Sequence, residues 1–370
     1  MKYVMVILDG VQDIAYDQLG GKTPLEAGKG RNYRRLEAES TKVKLATTPP
    51  GWEPDTLNCM LTLFGLTPDK LPTGRTGIEA LAEGVPVGGD DLVMRCNFVK
   101  IGEDGTLTVP CCTPDDEEIA QKLMAEVIER HGSPLKRIGG YKCIQTFPGG
   151  KKQIEGLRTF PPHNYQNKPL REILPVGNRL AEALAQTTTD LLEKYRPYTV
   201  FNWGHSICEE LPTFSELNGL KAALVNKTLV LEGVAKVMEM TCPDIPGITG
   251  ETDTNLKGKA QTALALLEDH DLVVVHVGGT DEATHRQDPA EKAAFIERVD
   301  AELLEILLCG LPDGCRVMVT CDHEAYCATA GHTDLPVDAL LWEKGRVHGG
   351  DLGLADGTRA IPLLTKLPWD

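Results

Sequence analysis

Several things are scarce in this 370-residue chain. No apolar run approaches the roughly 20 residues that a membrane-spanning helix needs, which excludes an anchor of that kind. The first residues pass straight into an apolar, strand-like run. No basic segment, hydrophobic segment and cleavage site follow one another there, so a secretory signal is not expected and the expected location is the cytoplasm. Basic charge is short as well: 38 Lys and Arg face 54 Asp and Glu, a net charge of −16. With no basic stripe to offset it, non-specific nucleic-acid binding is excluded. An anionic substrate is still compatible if metal ions and a few arginines make one site locally positive. Paired cysteines are absent too. The 11 cysteines are odd in number and form no CxxC, and Cys111 and Cys112 are adjacent. They read as reduced thiols, many of them in the core. No internal repeat or low-complexity segment occurs.

What is present is ordinary in bulk, with 41% hydrophobic and 25% charged residues. It is unusual in one stretch, Asp271 to His285, DLVVVHVGGTDEATH. The run Leu272 to Val277 is β-branched and nearly continuous, the pattern of a parallel strand covered on both faces. Gly278 and Gly279 turn the chain, and Asp281 and His285 follow four residues apart. On a helix they share one face and can hold one metal ion. Such a pair alone is usually a solvated surface pair, but the pattern recurs. Cys315 to Thr320 runs into Cys321-Asp322-His323, with His332 nine residues beyond His323; Lys2 to Leu8 delivers Asp9-Gly10. Ligands in open α/β sheets bind outside the carboxyl ends of strands. Six potential ligands are therefore expected at one sheet edge: Asp9, Asp281, His285, Asp322, His323 and His332. Cys321 is expected to pack rather than ligate.

Between these blocks the chain is read as follows. Thr23 caps a short helix with Pro24 at its first position. Residues 42 to 48 form a weaker strand. A proline-rich loop, Thr47 to Thr56, ends at an apolar helix, Leu57 to Phe64. Either Asp55 or Thr56 can cap that helix. Beside a two-metal site that lacks a nucleophile, Thr56 is the best candidate for one, because the helix N-terminus favours a developing alkoxide and a bound phosphate. Arg75, at a second loop-to-helix junction, can clamp a phosphate.

Residues 86 to 205 have a different texture and are expected to form an inserted α+β cap. It includes a strand from Leu92 to Val99, a helix from Pro114 to His131 and another from 178 to 194. Its Arg158, His163, Lys168 and Arg171 are a basic cluster inside an acidic protein, either a solvated loop or a lid for an anion. Residues 1–85 and 206–370 form the metal-binding body, a mostly parallel α/β sheet flanked by helices. Within that body one long crossover helix is expected over Glu291 to Leu308.

These residues resemble the metal-dependent alkaline phosphatase superfamily, and within it the archaeal-type cofactor-independent phosphoglycerate mutases. The matching blocks are Ile7 to Gly10, Gly20 to Ala27, Gly74-Arg75 with Glu79 to Leu81, and Arg95 to Phe98. They continue with Pro246 to Gly250, Asp253 to Asn255, Thr280 to Ala283 with His285, and Asp322-His323 with Gly331 to Thr333. The resemblance implies two divalent ions, manganese or zinc. One is held by Asp281, His285 and His332, the other by Asp9, Asp322, His323 and the nucleophile oxygen. It implies Thr56, Arg75 and Arg95 as catalytic residues, and Asn58, Asn97, His163 and Arg158 as contacts to a small phosphorylated substrate. Two departures bear on the mutase step more than on phosphoryl transfer. Pro54-Asp55-Thr56-Leu57 stands where the family has Pro-Gly-Ser-Asp, and Gly278 stands where it usually has lysine. Three functions remain open: a phosphoglycerate mutase, a phosphomonoester or phosphonate hydrolase, and a metal-binding protein that senses a phosphorylated ligand. A sulfatase is disfavoured, since no cysteine or serine stands where formylglycine would form. Oligomeric state cannot be read from the sequence.

Overall fold

The computed structural model describes residues 1–366. The chain divides into two compact units, Met1–Leu71 with the chain from Leu211 onward, and Pro72–Glu210. These boundaries differ from the expected ones after residues 85 and 205, for a physical reason. The helix Thr76–Ala82 belongs to the second unit. Its Gly77 amide donates to Ser206 Oγ at 2.8 Å. Its Glu79 is fully buried and pairs with Arg95 on the strand Leu92–Ile101.

The first unit is built on a sheet that has seven strands among the described residues. They are β1 (Tyr3–Leu8), β2 (Thr41–Ala46), β3 (Ala222–Val225), β4 (Leu272–Val277), β5 (Arg316–Thr320), β6 (Val337–Glu343) and β7 (Asp351–Asp356). Their order is β7-β2-β6-β5-β1-β4-β3. The pairings β5–β1, β1–β4, β4–β3 and β7–β2 are parallel; β6 is antiparallel to both neighbours. The expected mostly parallel α/β fold is therefore what forms. β1, β4 and β5, the three strands read from the sequence as metal-bearing, lie side by side. All six side chains of β4 are buried. Each valine there contributes about 1.5–3 kcal/mol of apolar burial, which fixes where the strand ends.

The crossover expected as one helix over Glu291 to Leu308 is interrupted. It runs Pro289–Arg298, widens to a π-helical segment over Val299–Leu304, and resumes over Glu305–Gly310. Asp300 in that segment is buried. Its carboxylate accepts from the backbone N–H groups of Asn32 at 3.3 Å and Tyr33 at 2.7 Å. These are orphan donors at the start of the helix Arg31–Glu39, whose cap residue Gly30 has no side chain to offer. The π-helical segment thus carries a residue that caps a helix 268 positions away along the chain.

The second unit is an antiparallel sheet of five strands among the described residues, backed by helices Glu117–His131 and Arg179–Tyr195. Strand Leu92–Ile101 is its centre, paired with Lys142–Phe147 on one side and Tyr198–Ile207 on the other. Phe98, Leu123, Val127, Leu191 and Val200 fill one side of its core.

Candidate metal centre

The parallel register of β1 against β4 and β5 brings Asp9, the β4–helix junction and Asp322 to one edge of the sheet. The helix Gly279–His285 starts directly after β4. Asp281 and His285 lie one turn apart on it, with His285 Nε2 3.1 Å from Asp281 Oδ2. His332 comes from a two-stranded hairpin, Glu324–Tyr326 with Gly331–Thr333. Its Nε2 is 3.2 Å from Asp281 Oδ1. His323 Nε2 lies 3.5 Å from Asp9 Oδ1 and 3.4 Å from Asp322 Oδ2. His323 and His332 stack with ring centroids 3.9 Å apart. All six residues read from the sequence as ligands thus meet.

These distances have a chemical meaning. Nitrogen and oxygen ligands about 2.0–2.2 Å from one tetrahedral ion lie roughly 3.3–3.6 Å from each other. The pairs above fall at 3.1–3.5 Å. Several of the atoms also have no other partner: Asp9 Oδ1, Asp281 Oδ1, Asp322 Oδ2, both His323 nitrogens, His332 Nε2 and His276 Nε2 are buried and unpaired. Native interiors leave few polar atoms in that state, and each one calls for an explanation. One guest cation at each of two positions explains the cluster, so the residues present fit a two-metal centre.

The surrounding hydrogen bonds orient the ligands. Asp322 uses one oxygen, Oδ1, to accept from the N–H groups of Gly10 at 3.3 Å and His323 at 3.1 Å, which leaves Oδ2 facing the site. Thr280 Oγ1 donates to the Asp9 carbonyl. Gly10 has φ +57°, and a Cβ there would meet Asp281 Oδ1 at 2.8 Å. Only glycine combines that backbone with so close an approach of ligands. His332 Nδ1 donates to the Pro54 carbonyl at 2.8 Å, which holds the ring so that Nε2 faces Asp281. At that range the imidazole and the carboxylate share a proton or a metal ion.

Electrostatics agree. Burial, then the neighbouring Asp322 and Asp281 carboxylates, push the Asp9 carboxyl well above its ordinary range. Burial pushes Asp281 up as well, but the His285 and His332 imidazoles beside it more than offset this and hold it low. The centre carries excess negative charge that a divalent ion would relieve.

The Pro54 contact also ties the centre to the loop that carries Thr56. Asp55, not Thr56, caps the helix Thr56–Leu63, accepting the Asn58 N–H at 2.8 Å. Thr56 occupies the first helical position and is not consumed as the cap. Leu57 is buried in the core. Asn58 is also buried, and its side-chain amide donates to the Glu53 carbonyl at 3.3 Å, bracing the loop.

The remaining candidates lie in the second unit. Glu79 there is fully buried between Arg75 Nε at 2.8 Å and Arg95 Nε at 2.8 Å. Burial pushes its carboxyl up, but the two guanidiniums hold it below the ordinary range. Two cations on one carboxylate leave a net positive charge. The Arg95 guanidinium lies over the Trp203 ring at 4.9 Å, and His163 meets the same ring edge-on at 5.3 Å. Asn97 is buried with Oδ1 unpaired. Arg158 is exposed; its backbone pairs with Val176.

Two parts of the metal centre's surroundings were not read from the sequence. His276 of β4 is buried, and its ring nitrogen faces Asp9. A histidine interrupting a valine run was the only signal. Lys292 and Asp13 form an ion pair with both side chains fully buried, at 2.9 Å. Lys292 also donates to the Ala325 carbonyl at 2.8 Å, and Asp13 accepts the Cys327 N–H at 3.2 Å. The pair pins the hairpin that carries His332, and a separation of 279 positions along the chain hides it from sequence reading.

The model of the metalloenzyme superfamily matches residues 1–361. The chain belongs to the metalloenzyme superfamily. It is 31% identical to the 2,3-bisphosphoglycerate-independent phosphoglycerate mutase of Methanopyrus kandleri, over 92% of this chain and 87% of that one. Among solved structures, a protein of Pyrococcus horikoshii matches 98% of this chain and 96% of its own length, at 25% identity and a TM-score of 0.74. The cofactor-independent phosphoglycerate mutase of Thermoplasma acidophilum shares the fold, with 19% identity, a TM-score of 0.61, and coverage of 98% of this chain and 99% of its own. These findings bear out the resemblance read from the motifs. Membership of this superfamily implies divalent metal ions.

Proposed function

We propose that this protein transfers a phosphoryl group through a phosphothreonine at Thr56, interconverting 2- and 3-phosphoglycerate. The observation that carries the reading is the set of buried, unpaired ligand atoms at tetrahedral spacing, joined through His332 and Pro54 to the Thr56 loop. Asp281, His285 and His332 would hold one ion, and Asp9, Asp322, His323 and the Thr56 oxygen the other. Bound there, such ions lower the pKa of a hydroxyl and offset charge on phosphoryl oxygens.

The chain's own residues supply the rest. The Thr56 oxygen forms a bond to phosphorus as the substrate's ester oxygen leaves in line. Asp55 holds the first turn of the helix, so Thr56 is presented from a fixed backbone. Arg75, Arg95 and His163, with Asn97 and Arg158, are the groups proposed to bind the anion. Asn58 braces the loop through its side-chain N–H, and its amide oxygen is proposed as a further substrate contact. In a mutase the retained alcohol takes the phosphoryl group back on its other hydroxyl. In a hydrolase, water takes it.

The hydrolase reading is favoured by Thr56 and Leu57, which stand where the family has serine and an acid, and by Gly278 in place of its usual lysine. A time course with 3-phosphoglycerate and manganese, following 2-phosphoglycerate and free phosphate together, separates the two. Formation of 2-phosphoglycerate without free phosphate supports the mutase; phosphate release makes the protein a hydrolase.

A further inference from the structure

The geometry points to His276 as a further ligand of the metal centre, the fourth imidazole of the centre and the second, after His323, on the ion that Asp9 and Asp322 hold. This rests on the metal-dependent reading above. His276 sits opposite Ile7 in the β1–β4 register, and the next turn of chain on β1 delivers Asp9, whose N–H bonds the Val277 carbonyl at 3.1 Å. The imidazole is 1% exposed. Its Nε2 lies 3.2 Å from Asp9 Oδ2, yet it makes no hydrogen bond. A proton on Nε2 would have no acceptor in line, and a lone pair there has no donor. One atom each from Asp9, His276 and Asp322 lies within 4.8 Å of the others.

Asp9 divides its oxygens accordingly. Oδ1 faces His323 at 3.5 Å, and Oδ2 faces His276. The backbone of His276 is fixed from behind, because the buried Lys259 Nζ donates to its carbonyl at 2.7 Å. The strand is thus held in place while the ring nitrogen is left unpaired. A core histidine without a guest would leave a desolvated nitrogen with nothing to offset its cost.

The consequence is selectivity. Without His276, the Asp9 position offers carboxylates, one imidazole and the nucleophile oxygen, a set suited to manganese. With it, the position gains a second nitrogen donor, which favours zinc or cobalt. His276 would therefore set which ion occupies that position.

The test begins with wild-type protein labelled with 15N-histidine, stripped of metal and titrated with zinc. The spectrum counts how many of the nine imidazoles shift to the metal-bound position. Four is the expected result. Three overturns this inference and leaves the metal centre standing, whereas none overturns both. In parallel, zinc and manganese affinities are measured for the His276→Gln variant. Zinc affinity at one of two positions should fall tenfold or more, with manganese affinity within about threefold of wild type. An unchanged zinc affinity, or equal losses of both, contradicts the proposal. If the variant does not fold, the wild-type count decides.

Discussion

Two clusters of charge, one in each unit, are built on opposite logic. Around Asp9, Asp281 and Asp322, carboxylates gather at the ends of three parallel strands, and their free atoms have no protein partner. Around Glu79, one buried carboxylate lies between two guanidiniums and is already paired. The first cluster is complete only with a cation from outside. The second holds itself together and has one positive charge to spare. An acidic chain can therefore gather one cluster suited to cations and another suited to an anion without either depending on its net charge.

The largest expected effect breaks this comparison open. Removing divalent ions with a chelator should abolish phosphoryl transfer and destabilise the first unit only. Each position filled at a hundredfold excess over its Kd contributes about 2.7 kcal/mol. Hydrogen exchange should quicken in β1, β4 and β5 and not in the strand Leu92–Ile101. Equal loss of protection in both units would contradict the contrast.

Next comes the buried pair behind the hairpin. Lys292→Met takes away the cation paired with buried Asp13, which should cost about 3–5 kcal/mol in denaturant unfolding. Because the hairpin carries His332, metal affinity should fall as well. A change under about 1 kcal/mol with normal metal binding would show that the pair does not position the centre.

Arg95→Ala probes the second cluster. Losing a charge-assisted contact to a bound anion is worth about 1.5–3 kcal/mol, or roughly ten- to hundredfold in kcat/KM. Metal stoichiometry should be unchanged. Arg158→Ala removes a more exposed contact proposed for the same anion, so kcat/KM should fall by a smaller factor, roughly threefold.

Acid separates the clusters along the pH axis. Asp281 raises the His285 imidazole, and burial lowers His332 but Asp281 more than offsets it, so both take up protons above the ordinary imidazole value. Metal should therefore leave as the pH falls through that range. Glu79 has a lowered folded pKa. Its stabilisation is present above the unfolded carboxyl value of about 4.3 and is lost as pH falls through the folded one. The second unit should therefore keep its exchange protection until below about pH 4. Loss of that protection together with the metal would refute the separation.

The two clusters also differed in how legible they were. The candidate ligands could be read because a rule of sheet topology turns residues some 300 positions apart, such as Asp9 and Asp322, into neighbours. A strand of continuous valines shows its own ends. Nothing comparable marks His276, since a lone histidine in a strand reads as core. The Lys292–Asp13 pair leaves no periodic trace at all. The Glu79 cluster was visible only as motif blocks around Arg75 and Arg95. That helix Thr76–Ala82 belongs to the second unit follows from a salt bridge the sequence does not announce. The break in the Pro289–Gly310 helix was hidden for the same reason, because Asp300 answers a capping need on another helix.

The measurement that tests the account most directly is a trapping experiment on Thr56. Metal-loaded protein is mixed with phosphoryl-labelled 3-phosphoglycerate and quenched in acid on the millisecond scale, and the peptide spanning residues 55 to 64 is analysed for label. The account predicts phosphate on Thr56, and none on a Thr56→Ala variant that still binds two metal ions and no longer turns over. Label on another residue, or turnover by Thr56→Ala at the wild-type rate, would contradict it.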